Sequence, residues 1–254
     1  MGLEMFSLEG KVAIVTGGSK GFGKAIALGL AEAGASVVVA SRTQSDLDKV
    51  AEEIIAKGGK AQAITVDTSQ KESIENLASK TIEAFGKIDI LINNAGLGET
   101  GPFLKTAEEQ WDKIININLK GYFLCAQAIG GHMFKAKSGR IINISSAMGS
   151  TPMGFMAPYA ASKGGINAMT KSLAQEWATR GITVNAVAPS YFDTEMNQGS
   201  IADENTNKLI MSKTPVKRWG QVEELTGLII YLASDASSYM TGAVIPLDGG
   251  WTAG

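Results

Sequence analysis

Residues 11–23 constrain the fold more than any other part of the chain. Lys11-Val12-Ala13-Ile14-Val15 is a short apolar run rich in β-branched residues. Thr16-Gly17-Gly18-Ser19-Lys20-Gly21-Phe22-Gly23 follows at once and opens a helical pattern that continues to Ala33. Strand, glycine turn and helix in that order form the phosphate-binding unit of dinucleotide folds. Glycine lets backbone approach a pyrophosphate, and the helix N-terminus presents free N–H groups and the positive end of its dipole. The spacing is TGxxxGxG rather than GxGxxG, with Gly17, Gly21 and Gly23 at the key positions.

The same alternation continues down the chain. Strand-like runs fall near 12–16, 36–40, 61–66, 88–93, 140–145, 183–187 and 243–247, with helical patterns near 21–33, 45–57, 71–85, 108–137, 159–179 and 222–233. Continuous apolar strands alternating with amphipathic helices predict an α/β doubly wound Rossmann fold, a parallel sheet of seven strands covered on both faces. No linker or repeat divides it, so residues 1–254 read as one nucleotide-binding domain. The least regular stretch, about 190–215, follows the sixth strand and suits a mobile substrate flap.

Composition removes several function classes. Lys and Arg total 23 against 25 Asp and Glu, which gives no electrostatic reason to expect nucleic acid or an anionic membrane. The single cysteine, Cys125, excludes an intrachain disulfide and offers no metal cluster; in an apolar helical stretch it reads as a small buried side chain. The first ten residues lack the basic start and apolar run of a signal peptide, and no stretch approaches the roughly 20 apolar residues of a membrane span. A cytoplasmic location is the expectation.

Tyr159 and Lys163 stand four residues apart in a helical segment and therefore share a face. A cation beside a phenol favours phenolate, so Lys163 is expected to draw the Tyr159 pKa down from about 10 toward neutrality and make Tyr159 a proton donor or acceptor. Ser145 and Ser146 end the fifth strand, where a hydroxyl can orient a substrate carbonyl toward Tyr159. The only histidine, His132, lies beside Gly130-Gly131, away from every motif, which removes a Ser-His-Asp triad. No metal-ligand spacing occurs.

Taken together, these motifs resemble the short-chain dehydrogenase/reductase family over nearly the whole chain. The resemblance rests on the glycine turn, Asn93-Asn94-Ala95-Gly96 after a strand, Asn118 in a helix, and Ser146 thirteen residues before Tyr159. It rests also on Pro189 to Thr194, and on Asp248-Gly249-Gly250 after the last strand. It implies a catalytic set of Asn118, Ser146, Tyr159 and Lys163. Asn118 would interrupt its helix and hold a relay water; Lys163 would also bond the nicotinamide ribose. Gly17, Ser19, Lys20, Gly21, Phe22 and Gly23 would hold the pyrophosphate side. Asp67 and Thr68 would meet the adenine, Asn93, Ala95 and Gly96 the adenosine and ribose, and Pro189 and Thr194 the carboxamide.

Enzymes of this kind that prefer NAD place an acid at the end of the second strand. Here Ser41 and Arg42 stand there, and Lys20 adds a second cation, which together favour NADP(H) with a 2′-phosphate. Ser190 replaces the usual glycine and would strain a turn that needed positive φ. The pattern resembles the gluconate 5-dehydrogenase and polyol dehydrogenase group, and implies a small carbonyl or alcohol substrate and a homotetramer. Met148, Met153, Phe155, Met156, Tyr191, Phe192 and Met196 are candidate pocket residues, and Trp251 a candidate subunit contact. A 3-oxoacyl-carrier-protein reductase is the alternative, with Lys137 and Arg180 as docking cations. A non-catalytic nucleotide-binding regulator is the alternative of another class.

Overall fold

A computed structural model describes residues 2–253. Its seven strands are β1 (Val12–Thr16), β2 (Ser36–Ser41), β3 (Lys60–Thr65), β4 (Ile90–Asn93), β5 (Gly139–Ile144), β6 (Ile182–Pro189) and β7 (Val244–Leu247). They form one sheet in the order β3-β2-β1-β4-β5-β6-β7, and every pairing is parallel. The order reverses between β1 and β4, and a crevice opens beyond the C-terminal strand ends at such a point.

Both faces of the sheet are covered, which is why the strands read as unbroken apolar runs. All five residues of β1 and all eight of β6 are buried. Alternate residues serve opposite layers, since strand side chains alternate faces. Ala13 and Val15 join the core under α1 (Gly21–Glu32), α2 (Gln44–Ala56) and α9 (Val222–Ala233), and Ile14 joins the other, under α3 (Lys71–Phe85), α5 (Gly121–Ala136) and α6 (Ala157–Trp177). Burial pushes the Cys125 thiol up to about 12, so it is an unreactive core side chain.

The pattern at 108–137 is not one helix. It is α4 (Glu108–Ile115), a π turn at Asn116–Lys120 centred on Asn118, and then α5. The stretch after β6 is more regular than its composition suggests, with α7 (Gln198–Ala202) and α8 (Glu204–Lys213) inside it. Asp203 caps α8 by accepting from the Thr206 N–H at 2.8 Å, and Lys208 pairs with Glu204 one turn back at 2.6 Å. Ser190 has no positive φ; its hydroxyl donates to the Asp248 carbonyl at 3.0 Å, so serine is accommodated without strain.

Candidate active site

Ser146 follows β5 in extended conformation and caps a short turn, accepting from the Met148 N–H at 3.2 Å and lying 3.4 Å from the Pro189 carbonyl. Its neighbour Ser145 points inward, with its hydroxyl 2.6 Å from Asn167 Oδ1 and 3.3 Å from the Lys163 carbonyl. The two serines therefore divide labour: Ser145 ties β5 to α6, and Ser146 faces Tyr159. Pro158 helps start α6, so Tyr159 stands in its first turn, near the positive end of the helix dipole. Lys163 follows one turn later, 4% exposed. Its Nζ donates to the Ile144 carbonyl at 2.8 Å and lies 5.5 Å from the ring centre of Tyr122 and 5.6 Å from that of Tyr159.

The expected lowering of the phenol is not what this geometry produces. Burial raises the Tyr159 pKa above its ordinary 10; the Ser146 hydroxyl opposes that rise and the Tyr191 phenol adds to it. The same burial brings the Lys163 ammonium down to about 7. One low-dielectric environment disfavours charge on both partners, so at neutral pH Tyr159 is a phenol, ready to donate.

The Asn118 side chain is a clamp. Its Oδ1 accepts from the Leu97 N–H at 2.9 Å, and its Nδ2 donates to the Leu97 carbonyl at 2.9 Å and to Ser162 Oγ at 3.1 Å. Ser162 in turn donates to the Tyr159 carbonyl at 2.6 Å. Both amide hydrogens are used, so the π turn serves the site by joining the loop after β4 to the first turn of α6.

A cavity of about 360 Å³ lies beyond the ends of β1, β2 and β4, walled by Gly17, Ser19, Lys20, Ser41, Arg42, Asp67, Thr68, Ala95 and Gly96. Gly17 has φ +65°, and a Cβ there would lie 2.8 Å from Asn94 Nδ2. A Cβ on Gly23 would meet the Gly17 carbonyl oxygen at 2.0 Å, so the turn closes only with glycine at both positions. Ser41 Oγ is buried with no hydrogen-bond partner, a polar atom left for a ligand. Asp67 Oδ1 accepts from the Ser69 N–H and hydroxyl at 2.9 and 2.7 Å, which with the Arg42 charge holds this carboxyl below its usual range. Glycine cradle, orphaned hydroxyl and mixed-charge wall fit a dinucleotide.

A model of short chain dehydrogenases matches residues 11–205. The chain belongs to the short-chain dehydrogenase/reductase family. It is 38% identical to gluconate 5-dehydrogenase of Gluconobacter oxydans (strain 621H), over 98% of this chain and 97% of that one. It is 42% identical to a 3-oxoacyl-[acyl-carrier-protein] reductase of Synechocystis sp., over 97% and 98%. A crystal structure of a gluconate 5-dehydrogenase from Burkholderia cenocepacia J2315, in complex with NADP and tartrate, superposes with a TM-score of 0.96 at 36% identity, covering 99% of each chain. Family and relatives make the protein an oxidoreductase.

Several residues of this dehydrogenase stand elsewhere than expected. Asn93 is fully buried in the sheet, its Nδ2 on Asn143 Oδ1 at 2.9 Å, so its side chain reaches no adenosine or ribose. The Phe22 ring packs edge-on against Phe192 at 5.1 Å, which leaves Phe22 only its backbone for a phosphate and takes Phe192 out of the candidate pocket wall. Phe155 is 69% exposed and lies outside the wall of the dinucleotide cavity. Gly21, Pro189 and Thr194 are not among the residues that wall this cavity. The Met196 side chain lies outside those described. Trp251 is already buried within the chain, 5.1 Å from the Tyr191 ring, in a cluster with Met148, Ile210, Met153, Met156 and Tyr159. It therefore needs no neighbouring subunit to cover it.

Sequence reasoning did not single out Thr16, whose Oγ1 accepts from the Asn94 and Ala95 N–H groups at 3.0 and 3.2 Å and so ties β1 to the loop after β4. Nor did it find Thr43, Asp46, Leu97 and Ile117 in the cavity wall. For Asp46 a signal was available, an acid four residues after Arg42, in the first turn of the next helix.

Proposed function

We propose that this dehydrogenase is an NADP(H)-dependent enzyme acting on the ketone or secondary alcohol of a sugar acid or polyol. The observation that carries the reading is a shared edge: Ser146, Tyr159 and Lys163 stand at the C-terminal end of β5, and the cavity with Lys20, Ser41 and Arg42 lies beyond the same edge of the sheet. The NADP and tartrate of the Burkholderia relative support both halves of it.

When bound, the nicotinamide exchanges the hydride with the substrate carbon. In reduction, the Ser146 and Tyr159 hydroxyls hold the carbonyl oxygen and Tyr159 gives it a proton, which leaves the alcohol and a phenolate. In its ammonium form Lys163 has three N–H donors and places one on the Ile144 carbonyl, so two remain for ribose hydroxyls and for returning the proton. The apolar cluster of Met148, Met153, Met156, Tyr191 and Trp251 beside Tyr159 excludes water from the reacting carbon, and the segment 190–215 acts as its lid.

The 42% identity to a carrier-protein reductase keeps that second reading in view. Lys137 and Arg180, its proposed docking cations, precede β5 and β6, at the sheet edge opposite Tyr159, and Arg180 stacks on Phe134 at 4.5 Å. Within one chain they do not guide a thioester to the site. NADPH oxidation with keto sugar acids and with an acetoacetyl thioester separates the readings, and a regulator without turnover would oxidise NADPH with neither.

The same reading takes the enzyme as a cytoplasmic homotetramer. Trp111 on α4 and Phe123 on α5 are 37% and 47% exposed, apolar surface that a second subunit would cover, and no helix among the described residues is long and apolar enough to cross a membrane. Light scattering that finds a monomer at micromolar concentration removes the assembly.

A further inference from the structure

Asp46 stands in the first turn of α2 and lines the same cavity as Lys20, Ser41 and Arg42. Its Oδ2 lies 3.4 Å from Lys20 Nζ and its Oδ1 3.7 Å from Lys49 Nζ. The carboxylate is the inner member of this trio: its side chain is 26% exposed, against 59% for Lys20 and 76% for Lys49. Arg42 makes no ion pair among the described residues. The charged residues of the wall are thus two cations, Lys20 and Arg42, and two carboxylates, Asp46 and Asp67. The carboxylates offset the cations of the wall, and Lys20, one of the two cations, is already held by Asp46.

We infer that Asp46 sets the degree of cofactor preference: it occupies Lys20 and adds negative charge where a 2′-phosphate would sit, and so keeps the site open to NAD(H) as well as NADP(H). The inference rests on the proposed NADP(H) reading. A 2′-phosphate arriving in the cavity must draw Lys20 away from Asp46 and meet the carboxylate's own repulsion, whereas a plain ribose meets neither. Removing the carboxylate charge raises the net charge of the wall by one and frees Lys20. The effect is confined to ligands that carry the extra phosphate.

The test is binding of 2′,5′-ADP and of 5′-ADP to the full chain by calorimetry, for the parent and for Asp46→Asn. The variant should bind 2′,5′-ADP about 3- to 10-fold more tightly, the range for partly exposed charge pairs, with 5′-ADP unchanged within about two-fold. The gain should shrink as salt rises. Asp46→Ser, which also suits a first helical turn, should behave alike if the Asn variant folds poorly. Weaker or unchanged 2′,5′-ADP binding in a folded variant, or equal tightening of both ligands, overturns the inference. A parent that does not distinguish the two ligands, in which Arg42→Ala also changes neither, refutes instead the 2′-phosphate reading on which it rests.

Discussion

Asn118 and Leu97 exchange two hydrogen bonds of 2.9 Å, the asparagine amide copying the pairing of a neighbouring strand. Asn118 is fully buried, and its remaining amide hydrogen reaches Ser162, directly behind Tyr159. The contact joins the loop that follows β4 to the helix that carries the proton donor, so its loss unsettles both. Asn118→Leu leaves the half-buried Leu97 N–H and carbonyl and the buried Ser162 hydroxyl without their partner, and each unpaired polar group shielded from water costs about 1–3 kcal/mol. We expect a loss of about 3 kcal/mol in urea unfolding together with slower turnover. A variant as stable as the parent contradicts the clamp.

Tyr159→Phe removes the proton donor and keeps the ring against Gly98, where the Tyr159 Cε2 lies 3.7 Å from the position a Cβ would take. Turnover should fall by at least about 10²-fold, the usual loss when general acid catalysis is removed, with cofactor affinity nearly intact. Near-parental kcat on a substrate the parent reduces well rules out the assigned role.

Lys163 makes stability depend on pH. Burial lowers its pKa from 10.5 to about 7, so in this range the unfolded chain binds more protons than the folded one, and stability rises with pH from about 7 toward 10.5. Between pH 7 and 9 Lys163 should contribute a gain of about 2 kcal/mol in the cofactor-free protein, and Cys125, buried as a thiol in the folded chain and ionising in the unfolded one, should offset less than about 1 kcal/mol of it by pH 9. Lys163→Met should flatten that slope. An equal slope in both proteins places its source elsewhere.

Arg42, which makes no ion pair among the described residues, and Lys20, which is shared with Asp46, form the proposed 2′-phosphate end. A charge-assisted contact contributes about 1.5–3 kcal/mol, so Arg42→Ala should weaken NADPH on the order of 10- to 100-fold and NADH within a few-fold. Lys20→Ala should act in the same direction, more weakly. Equal weakening of both cofactors by Arg42→Ala contradicts a phosphate site.

The alternation of strands and helices was legible because the central strands β1, β4, β5 and β6 are buried apolar runs and the turn after β1 carries its glycines. The break at Asn118 was legible only through its register in the family, because asparagine alone in a helix does not specify a π turn. The helices at 198–213 were obscured by their polar composition, although Asp203 and the Glu204–Lys208 pair are helix signals in plain view. The direction of the Tyr159 pKa was misread because residue spacing reports a neighbouring charge and not the burial that both residues share. The fate of Asn93 was illegible for a similar reason: its partner Asn143 lies fifty positions away on β5.

The central claim is NADP-linked hydride transfer on a sugar acid. The most direct measurement is nicotinamide absorbance during oxidation of gluconate and related sugar acids, with NADP⁺ and NAD⁺ compared at equal concentration. Turnover is expected on at least one of these acids, with kcat/KM higher for NADP⁺ than for NAD⁺, and is expected to be lost in Tyr159→Phe. Turnover with NAD⁺ alone, or none on any sugar acid while an acyl thioester is reduced rapidly, contradicts the claim.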